Sequence, residues 1–228
     1  HTISVFNDAP NIDEIIILMA QGHLDPVHAI VRDGAYPKVT QVLEGGVTRN
    51  ETTSLALAAL GDEECNVLFH DAVRPLVSQK IIADVIEALE TYEAVDTAIP
   101  SADTVVQVHP ERTGTYDTIE DVLKRDLLRR GQTPQAFRAS VISKAYQIAW
   151  EDPNFTATDD CTVVLRYCPD VPIAVVAGHE RNMKVTEPID VYIADKLFQL
   201  ASAETPTELD DDEHRTALSG KVMVVFGG

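Results

Sequence analysis

Cysteines, positive charges and long apolar runs are all scarce in this sequence, and each shortage excludes a class of protein. There are 3 cysteines in 228 residues, an odd number without CxxC spacing. They predict a reducing compartment, with no disulfide framework and no zinc site. The longest apolar run is far below the ~18 residues of a membrane-spanning helix. Because no cationic, apolar leader is seen, we predict a cytoplasmic protein without a membrane partner.

The balance of charge excludes a second class of protein. Lys and Arg number 18 against 37 Asp and Glu, which gives a formal net charge of −19. Domains that bind nucleic acid present a basic face, so we expect no nucleic-acid partner. An anionic small substrate is not excluded, because a local cluster of Arg and Lys can outweigh the overall sign.

Apolar runs and helically spaced apolar residues alternate along the first 200 residues. We predict strands at residues 14–20, 38–44, 67–69, 94–100 and 172–177. We predict helices at residues 23–31, 48–60, 78–92, 138–150, 158–167 and 188–198. This alternation is typical of βαβ units. The predicted fold class is therefore α/β, a Rossmann-like open and mainly parallel sheet with helices on both faces.

Two of these elements carry specific expectations about burial. The run at residues 67–69 is short and apolar, which suits a fully buried strand. The helix at residues 138–150 is predicted to be amphipathic, with Ile142 and Ile148 together on its apolar side.

Residues 104–122 interrupt the alternation of strands and helices. Polar and apolar residues alternate loosely from Thr104 to Val108, Pro110 and Gly114 supply a turn, and residues 115–122 are again strand-like. The pattern predicts a hairpin that projects from the sheet. From the residues alone, two interpretations stay open: an arm that finds a partner chain, or a loop on the surface.

The composition changes after Leu200. Residues 201–218 contain a dense acidic run with few apolar residues, which predicts a linker. Residues 219–228 then return to a strand that ends in Gly-Gly, as at the start of a dinucleotide-binding domain. We therefore predict one main domain at residues 1–200, an acidic linker at 201–218, and the truncated start of another domain at 219–228.

Polar side chains lie just after several of the predicted strands, where ligands bind in an open α/β sheet, or near the ends of loops. They include three cations, Arg74, Arg125 and Lys184, and one carboxylate, Asp71. Hydroxyl groups come from Thr52, Thr104, Thr133 and Thr158. Cations and hydroxyls suit phosphate groups, and a carboxylate among them suits a divalent cation. Taken alone, His70 and Asp71 could equally end a strand and cap the helix near Ser78.

Six short motifs occur in a characteristic order: GGVTR at 45–49, HDAVRP at 70–75, DT at 103–104, QTPQAF at 132–137, TDD at 158–160 and NMKVT at 182–186. Over residues 1 to about 200, their order and spacing resemble the cytidylyltransferases that couple CTP to a polyol phosphate. That family includes enzymes for ribitol 5-phosphate and for 2-C-methyl-D-erythritol 4-phosphate.

Two features favour ribitol 5-phosphate as the substrate that the resemblance implies. The form RRGQTPQAF at residues 129–137 is closer to the ribitol type. The acidic linker and the following strand resemble fusions with a short-chain reductase. The alternatives are a methylerythritol-phosphate enzyme of isoprenoid synthesis, and an inactive dimerisation or docking module for a fused reductase.

The resemblance also implies roles for individual residues. On the nucleotide side, the cytosine and ribose of CTP would contact Gly45, Gly46, Val47, Thr52 and Ala72. On the polyol side, the substrate-binding residues would be Asp71, Arg74, Thr104, Arg125, Thr133, Thr158 and Lys184. Among these, Lys184 and Arg125 would be catalytic, and Asp71 would also hold Mg²⁺.

The resemblance implies an in-line attack by the polyol phosphate on the α-phosphorus of CTP, with release of pyrophosphate. No general base is required, so His70 is given no catalytic role. A homodimer is implied as well, in which the arm at residues 104–125 serves the neighbouring site. The family also has an initial strand and a glycine-rich loop with an arginine and a lysine. We expect that segment, which is not seen before His1, to complete the site.

Overall fold

A computed structural model of the chain describes residues 1–61, 63–112 and 114–203, the last three of them by their backbone only. The chain divides into two compact units, His1–Thr186 and Glu187–Gly228. In the second unit, the described part contains the helix Pro188–Ala203. The predicted strand at residues 219–228 and all but the first three residues of the predicted linker lie outside the described residues. None of the described helices is long and apolar enough to cross a membrane.

The elements of the first unit follow the predicted alternation closely. The strands are β1 Ile15–Met19, β2 Val39–Glu44, β3 Asn66–Phe69, β4 Ala94–Pro100, β5 Val106–Val108, β6 Ile119–Val122, β7 Arg129–Arg138 and β8 Ile173–Ala177. The helices are α1 Thr2–Asp8, α2 Leu24–Gly34, α3 Arg49–Leu60, α4 Gln79–Ala88, α5 Ala139–Glu151 and α6 Asp160–Tyr167, with a 3₁₀ turn at Arg125–Leu127. The helix of the second unit is α7.

The main sheet has four strands in the order β3-β7-β4-β8. Strand β8 is parallel to β4, whereas β7 is antiparallel to both of its neighbours. Strands β1 and β2 form a parallel pair. The predicted α/β fold is confirmed, and β7 makes its larger sheet mixed.

Helices cover both faces of the main sheet, as predicted. On β7, Phe137 belongs to a buried cluster with residues of α5 and α6, such as Ile142 and Val163. Its neighbour Ala136 belongs to a second buried cluster, with residues of α4 such as Ile82. Successive side chains of a strand point to opposite faces, so one strand contributes to both cores.

The prediction missed β7 as a strand because its sequence contains Gly131 and Pro134, which are rare inside central strands. The structure accommodates them with an irregular register. Val95 pairs with Ala136, but Thr97, two residues later, pairs with Gln132, four residues away on β7. The Thr97 hydroxyl donates to the Pro134 carbonyl at 2.7 Å, which compensates for the lost pairing.

Two expectations about burial are wrong. Strand β3 is only half-buried, because it lies at the end of the four-stranded order and pairs with β7 alone. On α5, Ile142 is fully buried but Ile148 is 40% exposed. A separation of six positions corresponds to roughly 120° around a helix, which takes Ile148 off the buried face.

The predicted hairpin is confirmed, since β5 and β6 pair antiparallel. Its apolar side chains are exposed, among them Val106, Ile119 and Val122. Whether this hairpin contacts a partner chain stays a prediction.

Candidate active site

The loop between β2 and α3 is closed by a backbone hydrogen bond and by a close approach to α3 that only glycine permits. Gly45 N–H donates to the Met19 carbonyl at 2.8 Å. A Cβ on Gly46 would lie 2.3 Å from Cβ of Glu51. Glu51 also completes a capping box with Thr48 at the start of α3. The loop is therefore fixed tightly against the first turn of the helix.

Among the predicted nucleotide-binding residues, the hydroxyl of Thr52 already has partners in this loop. It accepts from Gly46 N–H at 3.0 Å and donates to the Thr48 carbonyl at 3.0 Å. Val47, by contrast, is 97% exposed. Gly45, Gly46 and Val47 line one open groove, together with Trp150, which the sequence did not indicate.

Three of the predicted polyol-side residues meet at the turn that follows β3. Oδ2 of Asp71 lies 3.2 Å from Nε of Arg74 and 3.3 Å from Nζ of Lys184. Burial would raise the pKa of the Asp71 carboxyl, but Lys184 and Arg74 lower it below its ordinary value. Asp71 is therefore ionised at neutral pH, and the cluster carries two positive charges against one negative charge.

The segment that carries Lys184 is attached to the same turn by hydrogen bonds. Nη1 of Arg74 donates to the Asn182 carbonyl at 2.8 Å, and Val185 N–H donates to the Val73 carbonyl at 2.8 Å. Asn182 is fully buried, whereas the side chain of Lys184 is 45% exposed. The hydrogen bonds thus fix the backbone of this segment, and the ammonium group of Lys184 extends from it toward solvent.

Two of the three threonines that were predicted on the polyol side, Thr133 and Thr158, lie in different environments. Thr133, on β7, is buried and joins the cluster, because its Oγ1 accepts from Asp71 N–H at 3.1 Å. Thr158 is exposed just before α6. It does not cap that helix, since Asp159 is the N-cap and accepts from Thr162 N–H at 2.7 Å.

Thr104 and Arg125 lie at the base of the hairpin, as predicted. They line one open groove together with Lys124 and Leu127. Nη1 of Arg125 approaches the Ala102 carbonyl at 3.4 Å. Among the described residues, no hydrogen bond or ion pair joins either side chain to the cluster around Asp71.

The structure does not fit a magnesium site built by Asp71. The carboxylate already contacts two cations, and a third would be repelled by both. Within the described ranges, no group of three or more His, Cys, Asp or Glu side chains could hold a metal ion. Mg²⁺ therefore stays a prediction from the resemblance, without a ligand assigned among these residues.

Sequence reasoning missed a buried network centred on Asp160. Its fully buried carboxylate accepts from Arg49 Nη2 at 2.6 Å, from Tyr146 Oη at 2.7 Å and from Thr53 Oγ1 at 3.0 Å. Its N–H donates to Oε1 of Gln135 at 3.1 Å. These contacts connect three of the motifs, although Arg49 and Asp160 are 111 residues apart. The available signal for this network was the opposite charge of Arg49 and Asp160, each of which lies inside one of the six motifs.

We predict that Asp160→Asn destabilises the protein, because it removes the charge that Arg49 and Tyr146 face. The free energy of unfolding should fall by about 2 kcal/mol, below the usual cost of breaking a buried ion pair because Arg49 is partly exposed. The neighbouring change Asp159→Asn is the control. Since Asn caps a helix as well as Asp does, it should cost less than about 0.5 kcal/mol. Equal losses in urea denaturation would contradict the role given to Asp160.

Known proteins resemble this chain along most of its length. The family model described as IspD, 2-C-methyl-D-erythritol 4-phosphate cytidylyltransferase, matches residues 1–200. The 2-C-methyl-D-erythritol 4-phosphate cytidylyltransferase of Thermobifida fusca is 44% identical over 198 residues, which cover 86% of this chain and 79% of that protein. The bifunctional ribulose 5-phosphate reductase/CDP-ribitol pyrophosphorylase Bcs1 of Haemophilus influenzae is 38% identical over 230 residues. That match covers 100% of this chain but 48% of the relative, so the chain spans about half of Bcs1.

Solved structures agree with the sequence comparisons. The crystal structure of 4-diphosphocytidyl-2C-methyl-D-erythritol synthase from Anaerococcus prevotii superimposes with a TM-score of 0.78 at 30% identity. The match covers 87% of this chain and 84% of that one. Because the family model matches most of the chain, the protein belongs to the IspD family of cytidylyltransferases, as the order of its motifs predicted.

Proposed function

We propose that this protein transfers the cytidylyl group of CTP to ribitol 5-phosphate, giving CDP-ribitol and pyrophosphate. The observation that carries the transferase part is the cationic cluster of Arg74 and Lys184 around Asp71, in a chain of the IspD family. The support for ribitol is the similarity to Bcs1, which covers all of this chain, including the residues after 200 where the family model ends. The same similarity supports a fused reductase as the protein's next domain.

Lys184 and Arg74 are suited to bringing two anions together. In the proposed reaction, a phosphate oxygen of the polyol phosphate forms a bond to the α-phosphorus of CTP, and the bond from that phosphorus to the bridging oxygen breaks. Pyrophosphate leaves with the electron pair. The half-exposed ammonium group of Lys184 would contact the α-phosphate and the incoming phosphate, where it reduces their repulsion.

The protein need not supply a base for this reaction, because a phosphate monoester is already an anion at neutral pH. His70 agrees with that conclusion, since burial lowers its pKa to about 4 and so makes it a weak proton acceptor. Positioning of the two substrates would then provide most of the rate.

On the nucleotide side, we propose that CTP contacts the groove at Gly45, Gly46 and Val47 mainly through backbone groups. The hydroxyl of Thr52 would act indirectly, because it fixes the loop from within. Ala72 is exposed next to Asp71, and its carbonyl accepts from the Thr2 hydroxyl at 2.8 Å. Ala72 would therefore border the ribose through its methyl group and N–H.

The methylerythritol alternative is supported by the names of the matching family model, of the Thermobifida fusca relative and of the Anaerococcus prevotii structure. The Thermobifida fusca relative, whose name gives that substrate, is 44% identical to this chain. A pyrophosphate-release assay on the full-length protein with CTP and each polyol phosphate separates the two. We expect turnover with ribitol 5-phosphate. Turnover with 2-C-methyl-D-erythritol 4-phosphate alone would contradict the ribitol assignment, and turnover with neither would favour the inactive docking module.

We further propose that the hairpin makes the protein a homodimer and that Thr104 and Arg125 serve the partner's site. The support is the exposed apolar surface of the hairpin, including Val106, Ile119 and Val122, with Arg125 in a groove at its base. Exposed contiguous apolar surface often marks an interface between chains.

A mixing experiment tests this sharing of sites. Arg125→Ala and Lys184→Ala should each remove most of the activity. If the two residues act across the interface, a heterodimer of these variants has one intact site. An equal mixture with free subunit exchange should then regain about one quarter of wild-type activity, since half of its dimers are heterodimers. No recovery, with heterodimers demonstrated by mass spectrometry, would place both residues in the same subunit's site.

A further inference from the structure

His70 lies immediately after β3, and its two ring nitrogens both have partners. Nε2 lies 3.1 Å from the Arg74 carbonyl oxygen, and Nδ1 lies 3.0 Å from Oγ1 of Thr133. The ring also packs against Phe6 with a centroid distance of 4.9 Å. The side chain is thus held on three sides, which is more than ending a strand requires.

The partners of His70 determine which nitrogen carries the proton. A carbonyl oxygen can only accept, so Nε2 must be the donor toward Arg74. Burial lowers the pKa of His70 to about 4, so the ring is neutral near pH 7 and Nδ1 is the acceptor. The Thr133 hydroxyl therefore donates to Nδ1, while it accepts from Asp71 N–H at 3.1 Å.

The same residues form a closed cycle in which each member donates to the next. His70 donates to the Arg74 carbonyl, and Arg74 Nη1 donates to the Asn182 carbonyl at 2.8 Å. Nδ2 of Asn182 donates to the Thr133 carbonyl at 2.8 Å, and the Thr133 hydroxyl donates to His70. The amide of Asn182 cannot be reversed, because its Nδ2 faces a second acceptor, Oε1 of Gln132, at 3.2 Å.

This cycle holds the two groups that present charge to the substrate. Arg74 is a member of it and contacts Asp71 through Nε, a nitrogen that the cycle does not use. Lys184 lies two residues after Asn182 and contacts the same carboxylate oxygen of Asp71. A shift of the Asn182 carbonyl would therefore also move the backbone segment from which the Lys184 side chain extends.

We propose that His70, as the neutral Nε2–H tautomer, is a positioning residue that closes this hydrogen-bond cycle and so fixes Arg74 and the segment carrying Lys184. Its action is indirect, through the Arg74 carbonyl and the Thr133 hydroxyl. The proposal also gives Thr133 a different part from the one predicted. Since its hydroxyl proton is directed at His70, Thr133 can meet a polyol only as an acceptor.

The tautomer can be measured without any assay of activity, so this experiment is independent of the proposed function. In protein labelled with ¹⁵N-histidine at pH 7, the His70 resonances should show a protonated Nε2 and an unprotonated Nδ1. They are assigned as the signals lost in His70→Gln. A protonated Nδ1, in either the other tautomer or the imidazolium, would overturn the proposal.

The kinetic experiment rests on the proposed transfer and uses three substitutions at position 70. His70→Leu keeps the packing against Phe6 but breaks both links of the cycle. Its kcat should fall by roughly tenfold to a hundredfold, as for a small misplacement of reacting groups. The KM for CTP should change less than about twofold, because Gly45 and Gly46 are untouched. His28→Leu, at an exposed position of α2, is the matched control and should retain wild-type kcat.

Conservative variants distinguish positioning from simple packing. His70→Gln can restore the donor toward the Arg74 carbonyl, and His70→Asn can restore the acceptor for the Thr133 hydroxyl. Each should recover part of the kcat that His70→Leu loses. Equal kcat values in all three variants, or a wild-type kcat in folded His70→Leu, would overturn the positioning role. A wild-type tautomer that matches the proposal, with no turnover of any polyol phosphate, would instead count against the proposed function alone.

Discussion

The carboxylate of Asp71 remains ionised in a half-buried turn because Arg74 and Lys184 approach the same oxygen atom. This ion cluster joins the turn after β3 to the segment before α7, two parts of the chain that are more than 100 residues apart in sequence. Its net charge is positive in a protein whose overall formal charge is −19. A local excess of cations is what a site for phosphate groups requires, and it would allow so acidic a chain to attract an anionic substrate.

Strand β7 connects this cluster to the rest of the site. On one part of the strand, Thr133 contacts Asp71, His70 and Asn182. Two residues later, Gln135 donates to Asp96 and accepts from Asp160 N–H. Asp160 in turn holds Arg49 beside the glycine loop of the nucleotide side. Short polar contacts through one irregular strand thus relate the two predicted halves of the site.

The features that the sequence predicted best are those that depend on local chemistry. Continuous apolar runs predicted β1, β2, β4 and β8, and the ends of the strands correctly marked Asp71 and Arg74 as members of one cluster. The order of six motifs identified the family, which single motifs could not have done.

The features that the sequence did not predict depend on contacts between distant residues. Gly131 and Pro134 argue against a central strand, and only the bulge against β4 makes β7 possible. Asp160 resembles a second capping residue next to Asp159, and its burial depends on α3 and α5. From the sequence there was no reason to assign His70 a catalytic role, and its part in the hydrogen-bond cycle requires the positions of Thr133 and Asn182, which no local pattern contains.

The most direct test of this account is a crystal structure of the full-length protein with its cytidine diphosphate-polyol product bound. The account predicts that Nζ of Lys184 lies within hydrogen-bonding distance of the diphosphate while Asp71 stays paired with Arg74. It also predicts the cytosine at the groove of Gly45 and Gly46. A diphosphate bound away from both Lys184 and Arg74 would contradict the central claim that this cluster is the anion site.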